Sequence, residues 1–267
     1  MSRSADLAVI GGSGLYALLA DAVEQKVDTP YGDPSDVITI ADVAGRSVAF
    51  LPRHGRDHRL PPHRINYRAN LWALRSLGVR QILAPCAVGG LRPELGPGTF
   101  VLPDQVVDRT SSRVRTFYDV GAVHVNYADP YCPAGRSAVL RTAAEREHAI
   151  VDGGTMFVIE GPRFSTRAES RSYTAAGGSV INMTGEPEAT LARELGLCYT
   201  SIALVTDLDA GVEGDHGVTQ EEVFRVFREN TERLRDLLLA TLAQLPEERA
   251  CPCPSTLDGI TLPFELP

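Results

Sequence analysis

Ser201-Ile202-Ala203-Leu204-Val205-Thr206-Asp207-Leu208-Asp209-Ala210-Gly211, followed by Thr219-Gln220-Glu221-Glu222, is the stretch that decides the fold class. Ser201 to Val205 is a short apolar run that reads as a strand feeding a polar loop. Thr219 and Glu222 fit a capping box, in which two side chains satisfy each other's exposed backbone donors at a helix start. Val223, Phe227, Leu234, Leu238, Leu242 and Leu245 continue as an apolar stripe that Pro246 ends, and the tail beyond is proline-rich. Strand, loop and helix together form the repeating unit of an α/β protein.

The same alternation extends upstream. Strand-like runs occupy 6–10, 37–40, 47–51, 81–84, 99–102, 155–159, 179–181 and 199–204; helical spacing occupies 67–77, 134–147, 166–176 and 187–195. This predicts one α/β domain over residues 1–267, with a largely parallel or mixed sheet flanked by helices. No linker, repeat or low-complexity segment interrupts it.

Composition sets limits on function. The net charge of −8 argues against a general nucleic-acid or anionic-membrane binder. No apolar run approaches the ~20 residues of a transmembrane helix, and nothing resembles a signal peptide, so a cytoplasmic location is the expectation. The cysteines are Cys86, Cys132, Cys198, Cys251 and Cys253. Cys251-Pro-Cys253 is the only close pair; it lacks the second pair or histidines of a zinc site and reads as two free thiols. No metal site is expected.

Five motifs carry chemistry, and each alone has a plain alternative. Gly11-Gly12-Ser13-Gly14 follows a strand and offers backbone N–H groups and a hydroxyl to an oxyanion, or is a tight turn. Pro52-Arg53-His54-Gly55-Arg56-Asp57-His58 suits an anion pocket, or is a solvated basic loop. Phe164 in Glu160-Gly161-Pro162-Arg163-Phe164-Ser165 can stack on a purine, or fill the core. Asn182-Met183-Thr184-Gly185-Glu186-Pro187-Glu188 marks a helix start that favours an anion. Asp207 and Asp209 place two carboxylates close together, so one can hold a proton near neutral pH; a cap or magnesium role is the bland reading.

These motifs, in this order, resemble the trimeric purine nucleoside phosphorylases, and within them the 5′-methylthioadenosine phosphorylases. Ile65-Asn66-Tyr67-Arg68-Ala69-Asn70 adds to the match, which runs from about Leu7 to Leu242. The resemblance implies a central mixed, partly barrel-like sheet and an active homotrimer. It implies phosphate contacts from Ser13, Arg53, His54, Thr184 and the Cys86-Ala87 segment. Where the family usually has a hydroxyl, this chain has Cys86, a weaker donor, which shifts weight to the Ala87 N–H. Met183 packs under the ribose beside Asn182; Phe164 and Ser165 line the base pocket; His124 reaches the 5′ region from a neighbouring subunit. Asp207, supported by Asp209, donates a proton toward N7 of the leaving purine. Inorganic phosphate is the co-substrate, and no cofactor is implied.

A carboxylate at the base accepts hydrogen bonds from a 6-amino group, which favours adenine. Val223 lies where 6-oxopurine enzymes place a histidine for the 5′-hydroxyl, which favours methylthio; Gln220 and Phe224 on the same helix keep a smaller 5′ group, such as a halogen, open. A 6-oxopurine phosphorylase, a nucleoside hydrolase and a noncatalytic binder compete. The hydrolase needs an aspartate cluster for calcium that the sequence lacks.

Overall fold

The computed structural model describes residues 3–12, 22–212 and 217–267. In chain order the elements are β1 (Leu7–Gly11), β2 (Val23–Gln25), β3 (Ile38–Val43), β4 (Arg46–Pro52), α1 (Tyr67–Ser76), β5 (Gln81–Gly90), β6 (Phe100–Leu102), β7 (Gln105–Arg109), α2 (Pro133–Glu145), β8 (Ile150–Asp152), β9 (Thr155–Ile159), α3 (Arg167–Ala175), β10 (Gly178–Asn182), α4 (Gly185–Glu194), β11 (Cys198–Leu208) and α5 (Gln220–Gln244). The mixed sheet flanked by helices is as expected. Three short strands, β2, β7 and β8, escape the sequence reading because their residues are mostly exposed or half-buried and show no apolar face.

One sheet runs β2-β3-β4-β1-β5-β10-β9-β7, and β11 joins β5 to β6 and β8. The sheet forks at β5. Along one edge of β5, β11 pairs in parallel from Gln81 to Gly90. Along the other, β1 pairs only with Gln81 to Leu83, and antiparallel β10 only with Gly89 and Gly90. Among the described residues no strand pairs with Ala84 to Val88 on that edge, which leaves an opening between β1 and β10.

Helices cover both faces. Leu71, Leu74, Leu191 and Leu195 of the α1–α4 layer pack on Ile10, Ile40 and Ile82. Leu234, Leu237, Leu238 and Leu242 of α5 join Ala138 and Val139 of α2 against Leu7, Val9, Ile202 and Leu204. The apolar stripe of α5 divides in two: its C-terminal half is core, whereas Val223 and Phe227 turn to the opening. The α5 cap is simpler than the capping box predicted. Thr219 accepts from the Glu222 N–H at 3.3 Å, and the reciprocal bond is not made. The full capping box belongs to α3, between Thr166 and Glu169.

The proline-rich tail is not loose. Pro246 O accepts from Gln81 Nε2 at 2.7 Å, Arg249 donates to Gly196 O at 3.0 Å, and Phe264 stacks on Tyr118. No helix among the described residues is long and apolar enough to cross a membrane.

Candidate active site

Strand carboxyl ends are where open α/β sheets bind ligands, because the chain there turns outward and leaves backbone groups unpaired. Here β1 ends at Gly11, β4 delivers Arg53 and His54, β5 opens at Pro85 to Val88, and β11 carries Asp207. Gly12, just beyond β1, and the residues named from β4, β5 and β11 border one cavity, whose volume of about 240 Å³ suits a small molecule rather than a polymer.

One end is built for an anion. Arg53 is 4 % exposed and Glu188 0 %, and they form a two-pronged pair, Nε–Oε2 2.8 Å and Nη2–Oε1 2.7 Å. Arg53 also donates to Pro85 O at 3.1 Å and Ile10 O at 3.0 Å. Four of its N–H groups are thus committed, leaving one on Nη1. The Glu188 carboxylate outweighs burial and raises the guanidinium pKa still further. Sequence reading placed Arg53 directly on phosphate; the structure adds that Arg53 first locks β1, β4, β5 and α4 together. Residues along a strand alternate edges, so Ala87, two on from Pro85, aims its N–H into the same opening. Thr184 precedes α4 but makes no side-chain cap bond, so its hydroxyl is not spent on the helix. Cys86 is buried with its sulfur 3.6 Å from the Ser201 hydroxyl, which brings a hydroxyl close to the family position that Cys86 occupies.

His54 is held in one tautomer. Its Nδ1 lies 2.8 Å from Leu60 O, and a carbonyl only accepts, so Nδ1 carries the proton. Burial pushes the ring down to about 4, with Arg53 and His58 adding to the effect against the Leu60 bond. The neutral ring then presents Nε2 as an acceptor, suited to a protonated phosphate oxygen. Arg56, read with these groups as part of the anion pocket, instead reaches Glu24 at 2.6 Å and Asp36 at 3.5 Å. Ser13 lies outside the described residues.

The opposite end is acidic and under-bonded. Asp207 lies opposite Gly89 across β11–β5, after a break in register at Val205. Gly89 leaves room there: a Cβ would sit 3.1 Å from Asp207 Oδ1 and 3.1 Å from Ile181, a tight fit that would make one of them shift by a few tenths of an ångström. The strand ends at Leu208, so Asp209 lies just beyond it, fixed by its N–H on Gly90 O at 2.9 Å. Asp207 is pushed up to about 7, first by burial and then by the Asp209 and Glu222 carboxylates, against a 2.8 Å bond from Thr206. Burial also raises Asp209, against the hydroxyls of Ser170 and Ser165 and the Ala210 N–H. The repulsion read from the sequence is thus present for Asp207, but burial leads.

Asp209 Oδ2, Ser165 Oγ and Asn182 Nδ2 are buried and lie near polar neighbours, Ser165 beside Asp209 and Asn182 beside Cys86, but none makes a hydrogen bond of good geometry; Asn182 Oδ1 accepts from Gly185 N–H at 3.2 Å. Buried polar groups are rarely left poorly bonded, because each orphan costs about 1–3 kcal/mol, so this end retains polar capacity directed at the cavity. Met183 lines the middle of the cavity, packed so closely on Gly161 that a Cβ there would come 2.5 Å from its sulfur.

The third wall is apolar: Val223, Phe224 and Phe227 of α5, Phe164, and His58. His58 stacks on His54 at 4.5 Å and meets the Phe224 edge at 5.8 Å. Gln220 is exposed and does not border the cavity; Phe224 and Phe227, one and two turns on, do. His124 is also exposed and does not border the cavity of its own chain. Sequence reasoning gave no site role of their own to Glu188 or Thr206; it read His58 only within the basic run and Phe227 only within the apolar stripe of α5. Glu188 was legible as part of the Pro187-Glu188 match, but its partner lies 135 residues away.

The expectation that Cys251 and Cys253 lack a second pair is corrected: Cys132 and Cys198 lie beside them.

A family model described as "Phosphorylase superfamily" matches residues 6–243. A purine nucleoside phosphorylase of Streptomyces coelicolor is 61% identical over 274 residues, covering 98% of each chain. An S-methyl-5′-thioadenosine phosphorylase of Mycolicibacterium smegmatis is 55% identical, covering 98% of this chain and 99% of its own. Among solved structures, a methylthioadenosine phosphorylase from an antarctic soil metagenomic library superposes with a TM-score of 0.90 at 40% identity, over 96% of this chain and 92% of its own. The methylthioadenosine phosphorylase of Schistosoma mansoni in complex with adenine gives 0.86 at 36% identity, over 92% and 93%. With a cavity built at the fork of the sheet and these relatives along its whole length, the chain belongs to the phosphorylase superfamily.

Proposed function

We propose that this chain is a pentosyltransferase that cleaves 5′-methylthioadenosine with inorganic phosphate, yielding adenine and the 5′-modified ribose 1-phosphate. The observation that carries the reading is the three-part cavity. An anion end at Arg53, His54, Thr184 and the Ala87 N–H faces a carboxyl end at Asp207 and Asp209, with an apolar wall at Val223, Phe224 and Phe227.

The chemistry follows from the parts. As the C1′–N9 bond breaks, its electron pair moves into the purine and C1′ gains positive character. Phosphate, held below the sugar, supplies the oxygen that bonds to C1′; holding it in place removes much of the entropic cost of attack. Asp207, near half-protonated at neutral pH, gives its proton to N7 and relieves the charge on the departing base. Phe164 and Met183 flank base and ribose, and Ser165, Asn182 and Asp209, none well bonded within the chain, supply the polar contacts. No metal or organic cofactor enters the scheme.

The finer parts of this reading are a homotrimer, with His124 reaching a neighbour's 5′ region, and a role in cytoplasmic purine salvage. Phe164 and Phe224, each 37% exposed at the mouth, are suited to cover by a second subunit. Adenine release from 5′-methylthioadenosine, followed with and without phosphate, is the test: turnover without phosphate rejects the proposal. A 6-oxopurine reading draws on one observation, since a protonated Asp207 can donate to a 6-oxo group. A higher kcat/KM on inosine than on methylthioadenosine selects it. Efficient turnover of a 5′-halo analogue, with methylthioadenosine poor, selects the smaller 5′ group.

A further inference from the structure

Away from the cavity, four cysteine sulfurs converge from three parts of the chain. Cys132 precedes α2, Cys198 opens β11, and Cys251 and Cys253 lie in the tail. All four Sγ atoms are within 4.8 Å of one another. Cys198–Cys251 is 3.4 Å and Cys132–Cys251 is 3.7 Å. Cys132, Cys198 and Cys253 are buried, and all are free thiols.

The spacing is that of a metal cage. A tetrahedral zinc with Zn–S of about 2.3 Å sets its sulfurs about 3.8 Å apart. A disulfide needs about 2.05 Å. The surroundings also favour thiolate at Cys132. It is the N-cap of α2, where the helix dipole favours negative charge, and its sulfur accepts the Gly135 N–H at 3.4 Å. Such N–H···S bonds are the outer support that orients metal-bound thiolates. The group contains no carboxylate or imidazole, so hard cations such as magnesium and calcium find no suitable ligands.

We propose that Cys132, Cys198, Cys251 and Cys253 form a tetrathiolate site for one structural zinc ion. On binding, four thiols release their protons to solvent and each sulfur donates a lone pair to Zn²⁺. With four protein ligands there is no open position, so the ion serves folding rather than chemistry. It ties the tail to β11 and to the start of α2. The site is assembled by tertiary structure; Cys-x-Cys alone is tighter than the usual two-to-four-residue spacing.

The test uses the full-length chain purified with reductant and without chelator. Elemental analysis should give about one zinc per chain, falling at least ~10-fold in Cys132→Ser and Cys253→Ser. Because those variants risk misfolding, the wild-type chain is also stripped of metal, kept reduced, and titrated with Co²⁺. The expected result is saturation at about one equivalent, with the ligand-field bands of tetrahedral cobalt and a thiolate charge-transfer band, both erased by zinc. A chain that carries no zinc and shows no tetrahedral cobalt spectrum overturns the proposal. So does protein trapped with its thiols blocked that proves to hold two disulfides and no metal.

Discussion

The two ends of the cavity are made differently. The anion end is a knot of main chain: four elements meet at one guanidinium, and Arg53 and Glu188 are almost wholly buried. The apolar wall is hung from the first turns of α5, where Phe224 is 37 % exposed and Val223 half-buried. The difference teaches which half of the substrate the fold commits to. On the proposed reading, phosphate would meet parts that cannot change without disturbing the sheet, whereas the 5′ substituent would meet side chains that can change freely.

The sharpest way to break this contrast is at the knot. Glu188→Gln leaves Arg53 charged, buried and unpaired, which should cost about 3–5 kcal/mol of stability. Denaturant unfolding measures it, and a phosphate KM raised in the same variant ties the loss to the site. A loss under about 1 kcal/mol would mean that Arg53 is not the fastener described.

Asp207→Asn should lower kcat/KM on methylthioadenosine by ~100-fold or more, the usual worth of a general acid. Only the protonated acid donates, so wild-type activity should fall as pH rises through about 7, and the variant should lose that limb. Stability moves with the same sign. An acid raised from 3.8 to about 7 holds its proton longer when folded, so its contribution is full below 3.8 and is lost as pH climbs to 7. The pH dependence of denaturant unfolding should therefore flatten in Asp207→Asn. An unchanged alkaline limb in the activity profile would remove Asp207 from the proton-donor role.

The smallest effect belongs to the adjustable wall. Val223→His should move preference from methylthioadenosine toward adenosine by ~10-fold, the scale at which apolar pockets discriminate. Competition between the two substrates reads it directly. A change in phosphate KM instead would show that the two ends are not independent.

Much of this was legible in the chain. Strand-loop-helix alternation predicted the α/β class, and ordered motifs marked the residues that the sheet brings together. What was hidden depended on distance or on local chemistry that misleads. β5 was read as ending at Ala84, because Pro85 and the small residues after it do not look like strand; they are the open edge of the fork. Gln220 and Phe224 share a helix face in projection, but the first lies at the exposed start of the helix and only the second borders the cavity. Glu188 and the cysteine group have partners far along the chain, and no local pattern announces them.

The fork also has a consequence for the protein's birth. β5 leaves the ribosome long before its edge partner β11, whose pairing runs the strand's full length. β10, which closes the far side of the opening, is also late. Contacts of such high sequence separation form only when the later strand exists. A chain truncated before Leu208 would lack the partner of one whole edge of β5, so such a truncation should leave no assembled cavity rather than a weakened one.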